Sequence, residues 1–252
     1  MKKNLYLVLS CFCCLFMNCQ SETIPKDEKP EIIVAETPQP EPEKLPEPQI
    51  PQPATGIKIL ALGDSYTIGE SVCETCRFPE QLKKSIIEKT GKTEVTLKII
   101  ARTGWTTSSL KTAIAASDIG KDQDLVTLLI GVNNQYGNQP FEIFQNEFQE
   151  LVTSAINYAQ GEIKKVIVIS IPDYAYTPFG QGKKSISDAI DRYNNFIESY
   201  CAQNGITYVY ITDITRKGLQ ETNLVASDGL HPSAVAYSKF VERIVPLALQ
   251  KL

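Results

Sequence analysis

The sequence predicts an α/β protein of three layers, in which helices cover both faces of a five-stranded parallel sheet. From residue 56 onward, five short apolar runs alternate with longer segments that have helical periodicity. Runs that are apolar on both sides are typical of parallel strands buried between two helical layers. The 15 prolines are also concentrated, with nine of them in residues 25–53, which leaves residues 54–252 for one folded domain.

Strands and helices alternate along this domain. Each predicted strand is rich in Ile, Leu and Val, and the five strands are residues 57–62, 95–100, 125–130, 166–171 and 206–211. Apolar residues recur at three- and four-residue intervals in the segments between them, which predicts helices over residues 80–90, 108–116, 141–159, 186–202 and 232–245. Pro232 suits the first turn of the last helix, and Pro246 is expected to end or kink it.

The first 18 residues have the pattern of an export signal. Two lysines precede an apolar run over residues 5–17, which is too short to span a bilayer but typical of a secretory signal. Cys19 resembles the lipidated cysteine of bacterial lipoproteins, which follows the cleavage site, although Asn18 stands where a small residue is usual. We therefore expect an exported lipoprotein, anchored on the periplasmic or cell-surface face of a bacterial membrane. An ordinary signal peptide with Cys19 unmodified is the alternative.

Residues 19–55 are predicted to be a disordered tether. Acidic residues and prolines recur throughout this segment, and residues 22–48 carry eight Asp or Glu against three Lys. Such a composition favours an extended polyproline II chain of about 3 Å per residue. A proline-rich ligand for a partner protein is the alternative. The folded domain is then residues 56–252.

The charge balance of the domain excludes several classes of function. Residues 54–252 carry 20 Lys or Arg against 21 Asp or Glu, whereas nucleic-acid binding needs a basic surface. The chain has a single histidine, which excludes a His-rich metal site. We expect a monomer with no metal and no cofactor, and contact with a membrane through the lipid anchor alone.

Polar residues stand where the predicted strands end. Ser65 follows the first strand, Gly104 the second and Asn133 the third, and Asp228 and His231 precede the last helix. The carboxyl ends of parallel strands meet at one edge of a sheet, so these residues are expected to lie together. A serine, candidate oxyanion donors, a histidine and an acid are the parts of an acyl-transfer site.

The four blocks that carry these residues resemble those of the SGNH (GDSL-type) hydrolases. The blocks are GDSYT at residues 63–67, the Gly104 loop, GVNN at 131–134 and DGLHPS at 228–233, in the family's order from residue 57 onward. The resemblance implies a three-layer fold like that of flavodoxin and metal-free hydrolysis of esters through an acyl-enzyme. Asn134 departs from the family pattern, which usually has an aspartate there, and we expect this to affect shape rather than chemistry.

The proposed roles follow from the chemistry of each group. Asp228 can accept the imidazole Nδ1–H of His231, three residues on, which leaves Nε2 to take the proton of Ser65. The backbone N–H groups of Ser65 and Gly104 and the amide of Asn133 would hold the oxyanion. Each residue also has a simpler interpretation: Ser65 as a helix cap, His231 as a packing residue, Gly104 as a turn residue and Asn133 as a loop hydrogen-bonding residue.

The remaining candidates are an aspartate, three aromatic residues and three cysteines. Asp64 is expected to fix the nucleophile loop by accepting backbone hydrogen bonds, without a part in the chemistry. Trp105, Tyr136 and Tyr174 follow three strands and are candidates for the substrate pocket, although such aromatic residues often only pack. In an exported protein Cys73 and Cys76 favour a short-range disulfide, which leaves Cys201 as a buried free thiol.

The partner is predicted only as a class, a small-molecule or glycan ester substrate. An exported, tethered esterase would meet extracellular glycans, so a short-chain (acetyl) esterase acting on O-acylated carbohydrate is the preferred interpretation. A lysophospholipase or other lipid acyl hydrolase is the alternative, because the anchor would keep the site near a membrane. A catalytically inactive glycan-binding module is a third.

Overall fold

The computed structural model of the chain describes residues 56–252. The predicted signal peptide, Cys19 and the tether lie outside the described residues. Within residues 56–252, no helix is long and apolar enough to cross a membrane.

The strands form one parallel sheet of five. Their bounds are β1 Ile57–Gly63, β2 Val95–Ala101, β3 Leu125–Leu129, β4 Val166–Ile169 and β5 Thr207–Val209. The strand order is β2-β1-β3-β4-β5, and every neighbouring pair is parallel. This is the order of flavodoxin-like folds, in which the connections leave β1 in opposite directions and open a crevice between β1 and β3. The predicted α/β architecture with five parallel strands is therefore confirmed.

Helices cover both faces of the sheet. Their bounds are α1 Ser65–Ile68, α2 Phe78–Thr90, α3 Thr107–Ala115, α4 Val132–Tyr136, α5 Phe141–Tyr158, α6 Lys184–Asn204, α7 Thr212–Thr215 and α8 Ala234–Leu249. Helix α2 packs against α8, while α5 packs against α3 and, through contacts between aromatic rings such as those of Phe144 and Tyr193, against α6. The helices are divided between the two faces because the connections between parallel strands are right-handed, and the connection from β1 to β2 crosses the sheet in the opposite direction to the later ones.

The core lies at the centre of the sheet. All residues of β3 and β4 are buried, because both faces of these strands are covered. The edge strand β2 exposes Thr96 and Lys98. Apolar burial of this kind supplies about 25 cal/mol for each Å² removed from water, so the central strands contribute most to the stability of the frame that carries the loops.

Two predicted strands, 166–171 and 206–211, are longer than the observed β4 and β5. Beyond Ser170, side chains accept hydrogen bonds from these segments: Ile171 N donates to Asn194 Oδ1 at 2.8 Å, and Ile211 N donates to Ser170 Oγ at 2.8 Å. The apolar runs continue because most of their side chains, such as those of Ile171 and Ile211, stay buried. Sequence periodicity reports this burial and not the hydrogen-bond partner.

The prediction that Pro232 lies in the first turn of the last helix was wrong. Ser233 caps α8 by accepting from Ala236 N, so Pro232 lies before the helix, where it pairs with Val225 in an isolated bridge. Pro246 does not end the helix, which continues to Leu249. Pro246 faces solvent and Ala248 is buried, so packing of the final turn offsets the hydrogen bond that proline removes.

Candidate active site

The four predicted loops meet around one cleft at the carboxyl ends of the strands. The cleft has a volume of about 210 Å³. Its lining residues come from all four loops and from the segment after β4, and they are Ser65, Tyr66, Thr103, Gly104, Val132, Asn133, Tyr136, Tyr174, Phe179, Leu230 and His231. Residues far apart in the sequence are thus placed as the strand-end rule predicts.

The turn after β1 presents Ser65 at the start of α1. Asp64 caps this helix, since its Oδ1 accepts a hydrogen bond from Tyr66 N at 3.0 Å. Ser65 is therefore not the cap, and its hydroxyl has no hydrogen-bond partner among the described residues. Gly63 permits the turn, because a Cβ there would lie 2.4 Å from the carbonyl oxygen of Leu129.

Asp64 is completely buried beneath this turn. Burial raises the pKa of its carboxyl to about 7, because removal from water disfavours the charged form. Its Oδ2 has no hydrogen-bond partner in the described part of the chain, and the buried hydroxyls of Thr67 and Tyr237 have none there either. Asp64 accepts a backbone hydrogen bond, as its predicted supporting role requires.

The loop before α8 carries the acid and the histidine. His231 Nδ1 lies 2.5 Å from Asp228 Oδ2. Asp228 Oδ1 accepts from the backbone N–H groups of Leu230, at 2.9 Å, and of His231, at 3.0 Å. Gly229 turns the chain between them with φ of +71°, a conformation that glycine adopts without steric cost. The loop thus holds one tautomer of the ring and leaves Nε2 towards the cleft.

The ionisation of Asp228 is set by hydrogen bonds. Partial burial works to raise its pKa, but hydrogen bonds from Ser71, His231 and two backbone N–H groups outweigh it, so the pKa lies well below the ordinary range. Asp228 is consequently an anion at any physiological pH. An anion at this position stabilises a proton on the neighbouring imidazole.

Two of the candidate oxyanion donors, Gly104 and Asn133, form one wall of the cleft. Gly104 has φ of +81° in a turn closed by a hydrogen bond from Trp105 N to Arg102 O at 3.2 Å. A Cβ on Gly104 would have no atom within 4 Å. Glycine is therefore favoured here by the positive φ and not by crowding. Asn133 Nδ2 donates to the carbonyl of Trp105 at 2.8 Å, which ties α4 to this turn and leaves its second N–H available.

Asn134 lies behind this wall and outside the cleft. It is fully buried, accepts from Thr107 N at 3.0 Å, and donates to Thr107 Oγ1 at 2.7 Å and Gln139 Oε1 at 3.0 Å. These bonds join the start of α3 to the segment after α4. Contacts of this kind serve shape, as expected from the departure at this position.

Two of the three predicted aromatic residues line the cleft. Tyr136 is 58% exposed, and its ring lies 6.2 Å from that of the buried Tyr174. Trp105 is not among the lining residues and packs half-buried against the core. Phe179, which the sequence did not single out, completes a triangle of rings at 6.1 Å from Tyr136. The strand-end rule applied to β4 indicates this segment, but no sequence signal selects Phe179 within it.

The cysteines lie apart from the cleft lining. Cys73 and Cys76 are joined by a disulfide with a Cα–Cα separation of 5.0 Å. Cys201 is a buried free thiol whose pKa burial raises to about 12. Within residues 56–252, no group of three or more His, Cys, Asp or Glu side chains is placed to hold a metal ion.

Comparison with known proteins identifies the family. The model of the GDSL-like Lipase/Acylhydrolase family matches residues 61–239. Similar solved structures include a lipase/acylhydrolase from Enterococcus faecalis, 24% identical over 75% of this chain and 94% of that one, with a TM-score of 0.59. A lipolytic protein of the G-D-S-L family from Veillonella parvula is 17% identical over 77% of this chain and 97% of that one, with a TM-score of 0.58.

The psychrotrophic esterase EstA from a Pseudoalteromonas species is also similar. It is 14% identical over 77% of this chain and 97% of that one, with a TM-score of 0.55. No curated protein sequence matches this chain. The family model spans more than half of the chain and includes the nucleophile turn and the base loop, and the chain therefore belongs to the GDSL-like lipase/acylhydrolase (SGNH hydrolase) family, whose members act on esters.

Proposed function

We propose that the protein hydrolyses carboxylic esters through an acyl-enzyme on Ser65, with His231 as the base and Asp228 as the group that orients it. One observation carries this proposal: Ser65, Gly104, Asn133 and His231 line a single cleft, and Asp228 is hydrogen-bonded to the far side of the imidazole. A helix cap and a packing histidine would not need to share that cleft.

The reaction proceeds in two halves. His231 Nε2 takes the proton of Ser65 as the serine oxygen attacks the ester carbonyl, and the same proton passes to the departing alcohol. Water then repeats the sequence on the acyl-enzyme and releases the acid. Asp228 holds the imidazole in the required tautomer and stabilises its protonated form.

The oxyanion of each tetrahedral intermediate is bound by three donors. These are the backbone N–H groups of Ser65 and Gly104 and the second N–H of Asn133. The hydrogen bond from Asn133 to Trp105 O fixes the amide before substrate arrives. Donors held in place in this way need no reorganisation when charge develops on the oxygen.

The lining of the cleft favours an uncharged substrate. Among the described residues that line it, none is Asp, Glu, Lys or Arg. A phosphate-bearing head group would find no cationic partner there, whereas the exposed rings of Tyr136 and Phe179 offer apolar surface to the face of a sugar ring. We therefore propose a short acyl group, acetyl in the first instance, on carbohydrate.

A lipid acyl hydrolase is the second candidate. Val132, Tyr174 and Leu230 give the same cleft an apolar wall that suits a hydrocarbon chain. The two substrates differ in where the apolar contact is made: on the acid side of the ester for a fatty acyl chain, and on the alcohol side for a sugar. Acyl chain length is therefore the property that separates them.

The test compares p-nitrophenyl acetate, octanoate and palmitate as substrates of the wild-type protein, Ser65→Ala and Ser154→Ala. Ser154 lies on α5 and its hydroxyl bonds only within its own helix, so it is a matched loss of a hydroxyl. We expect acetate to be hydrolysed fastest and Ser65→Ala to lose about 10⁶-fold in kcat, as in other serine hydrolases. Ser154→Ala should match the wild type.

Other outcomes would redirect the proposal. Preference for octanoate or palmitate, still lost in Ser65→Ala, would support the lipid hydrolase. Equal rates for the wild type and Ser65→Ala would refute Ser65 as the nucleophile. If neither protein hydrolyses any ester while both bind acetylated glycans equally, the inactive binding module would be the correct interpretation.

A further inference from the structure

A short closed loop, residues 69–77, leaves the nucleophile helix and touches the Asp228 side of the site. Its two ends are in contact, since a Cβ on Gly69 would lie 2.4 Å from the Cβ of Arg77. The disulfide between Cys73 and Cys76 cross-links its second half. A loop closed at its neck and cross-linked within has few conformations, so it can hold a side chain in a defined place.

The residue that this loop presents is Ser71. Its hydroxyl donates a hydrogen bond to Asp228 Oδ2 at 2.7 Å. Its backbone has φ of +64°, a conformation uncommon for any residue that carries a side chain. Such backbone conformations persist where surrounding structure enforces them, and they concentrate at functional sites.

The bond from Ser71 completes the hydrogen bonding of the carboxylate. Two backbone N–H groups fix Oδ1 of Asp228, whereas Oδ2 accepts from His231 Nδ1 and from Ser71. A carboxylate has about four acceptor sites, so all of them are used. Among the described residues, Ser71 and His231 are the two whose side chains form hydrogen bonds with Asp228.

We propose that Ser71 is a positioning residue for the Asp228–His231 pair, and that the disulfide-closed 69–77 loop exists to hold it there. The inference rests on the proposed function, because it assigns His231 the role of base. The hydroxyl prevents Oδ2 from rotating away from the ring. It also shares the negative charge of Oδ2, which moderates the attraction of Asp228 for a proton on the imidazole.

Other titratable groups also lie near the pair. The ring of Tyr66 lies 5.8 Å from that of His231, and Asp64, Glu70 and Asp228 all act on Tyr237 through their charges. Glu70 belongs to the loop and accepts a hydrogen bond from Thr103. The variants below leave all of these groups in place.

The test removes the hydroxyl in two ways. Ser71→Ala keeps the Cβ, and Ser71→Gly also removes the backbone constraint, since glycine adopts positive φ freely. Both are expected to lower kcat about tenfold, equivalent to one lost hydrogen bond of about 1.4 kcal/mol, with KM changed by less than about twofold. Ser154→Ala is the matched control, and thermal unfolding checks that each variant folds.

A direct reading of the imidazole separates positioning from general loosening. His231 is the single histidine of the chain, so its ring resonances in an NMR spectrum need no assignment by mutation. Without the hydroxyl, Oδ2 is no longer held against the ring, so the His231 Nδ1–H resonance should move and broaden in both Ser71 variants. The same resonance should be unchanged in Ser154→Ala, which leaves the hydrogen bond between His231 and Asp228 untouched.

The loop is tested through its disulfide. Replacing both cysteines, as Cys73→Ser with Cys76→Ser, should lower kcat severalfold in the wild-type background. The same pair of changes should add little to Ser71→Ala, since the loop acts on the site through that hydroxyl, and coupled sites are non-additive in a double-mutant cycle. Additive losses would overturn the assignment of the loop.

Failure of this inference can be told from failure of the proposed function. If Ser65→Ala is inactive while Ser71→Ala and Ser71→Gly keep the wild-type kcat and the wild-type Nδ1–H resonance of the imidazole, Ser71 does not position the pair. If Ser65→Ala remains fully active, the proposed function itself fails and the inference fails with it.

Discussion

The nucleophile turn and the base loop each place an aspartate beside the cleft, and the two carboxyl groups are treated in opposite ways. Asp64 is fully buried and has one oxygen without a partner among the described residues, and burial raises its pKa to about 7. Asp228 is partly exposed and accepts four hydrogen bonds. Burial works to raise its pKa too, but these bonds hold it below the ordinary range.

The difference shows how environment divides roles between identical side chains. A carboxyl whose pKa is raised can be neutral near pH 7 and suits a buried position where it shapes a turn. A carboxyl that is an anion at every relevant pH can stabilise a protonated imidazole. Position relative to solvent and the number of donors, rather than residue type, therefore decide which aspartate serves the chemistry.

Of the changes that test this comparison, substitution of Asp228 is expected to have the largest effect on kcat. In Asp228→Asn the side-chain oxygen can still accept from the two backbone N–H groups. An N–H₂ group would then face His231 Nδ1 and favour the wrong tautomer of the imidazole. We expect kcat to fall about 10⁴-fold, as in other serine hydrolases with this change, with little loss of thermal stability. Ester hydrolysis and thermal unfolding measure the two quantities.

Asp188→Asn is the control for this prediction, because Asp188 is an exposed carboxylate on α6 that pairs only with Lys184. Its kcat should equal that of the wild type. A loss of less than about tenfold in Asp228→Asn would mean that the imidazole does not depend on the acid, and the contrast between the two aspartates would lose its functional meaning.

A smaller effect is expected at Asp64, on stability and not on chemistry. Between pH 4 and pH 7 the carboxyl of Asp64 keeps its proton in the folded protein but has lost it in the unfolded chain. The contribution of Asp64 to the free energy of unfolding is therefore at its full value at low pH and falls as pH rises. Asparagine does not titrate. The stability of the wild type relative to Asp64→Asn should therefore fall by about 3–4 kcal/mol between pH 4 and pH 8.

Denaturant unfolding at the two pH values measures this difference. Asp118→Asn, an exposed change in the segment before β3, should show no such dependence. A stability difference between the wild type and Asp64→Asn that is constant with pH would show that Asp64 is ionised throughout.

The smallest effect is expected at a third side chain, that of Asn134. It is buried like that of Asp64 and fully hydrogen-bonded like that of Asp228. The Thr107 hydroxyl gives its single hydrogen to Glu147 Oε2 at 2.5 Å, so it must accept from Asn134 Nδ2. Asn134→Asp, the residue usual in the family, would bring an acceptor against an acceptor. We expect the free energy of unfolding to fall by about 1–3 kcal/mol.

Denaturant unfolding again provides the measurement, with Asn157→Asp on the exposed side of α5 as the matched control. An unchanged stability in Asn134→Asp would mean that the Thr107 hydroxyl can turn its hydrogen away from Glu147. The departure from the family pattern would then have no structural reason in this hydrogen-bond network.

Several features of the fold and the site could be predicted because they are local. The apolar runs of β1 and β3 and the loops after them required only periodicity and the rule that parallel strands end at one edge. Trp105 and Phe179 show the limit of that rule. Both follow strands, yet Trp105 turns to the core and Phe179 to the cleft, and side-chain direction in a loop depends on what packs around it.

The sequence by itself determined the α/β alternation, the order of the strand-end loops and the Asp228–His231 pairing within one short turn, because each depends on residues close in the chain. Only the tertiary structure decided which aspartate is buried with one oxygen unpartnered among the described residues, that Ser71 reaches Asp228, and where β4 and β5 end. These outcomes depend on burial and on hydrogen bonds between residues distant in sequence, such as the 157 positions that separate Ser71 from Asp228. Periodicity carries no information about such contacts, since it reports which face of an element is buried and not what lies against it.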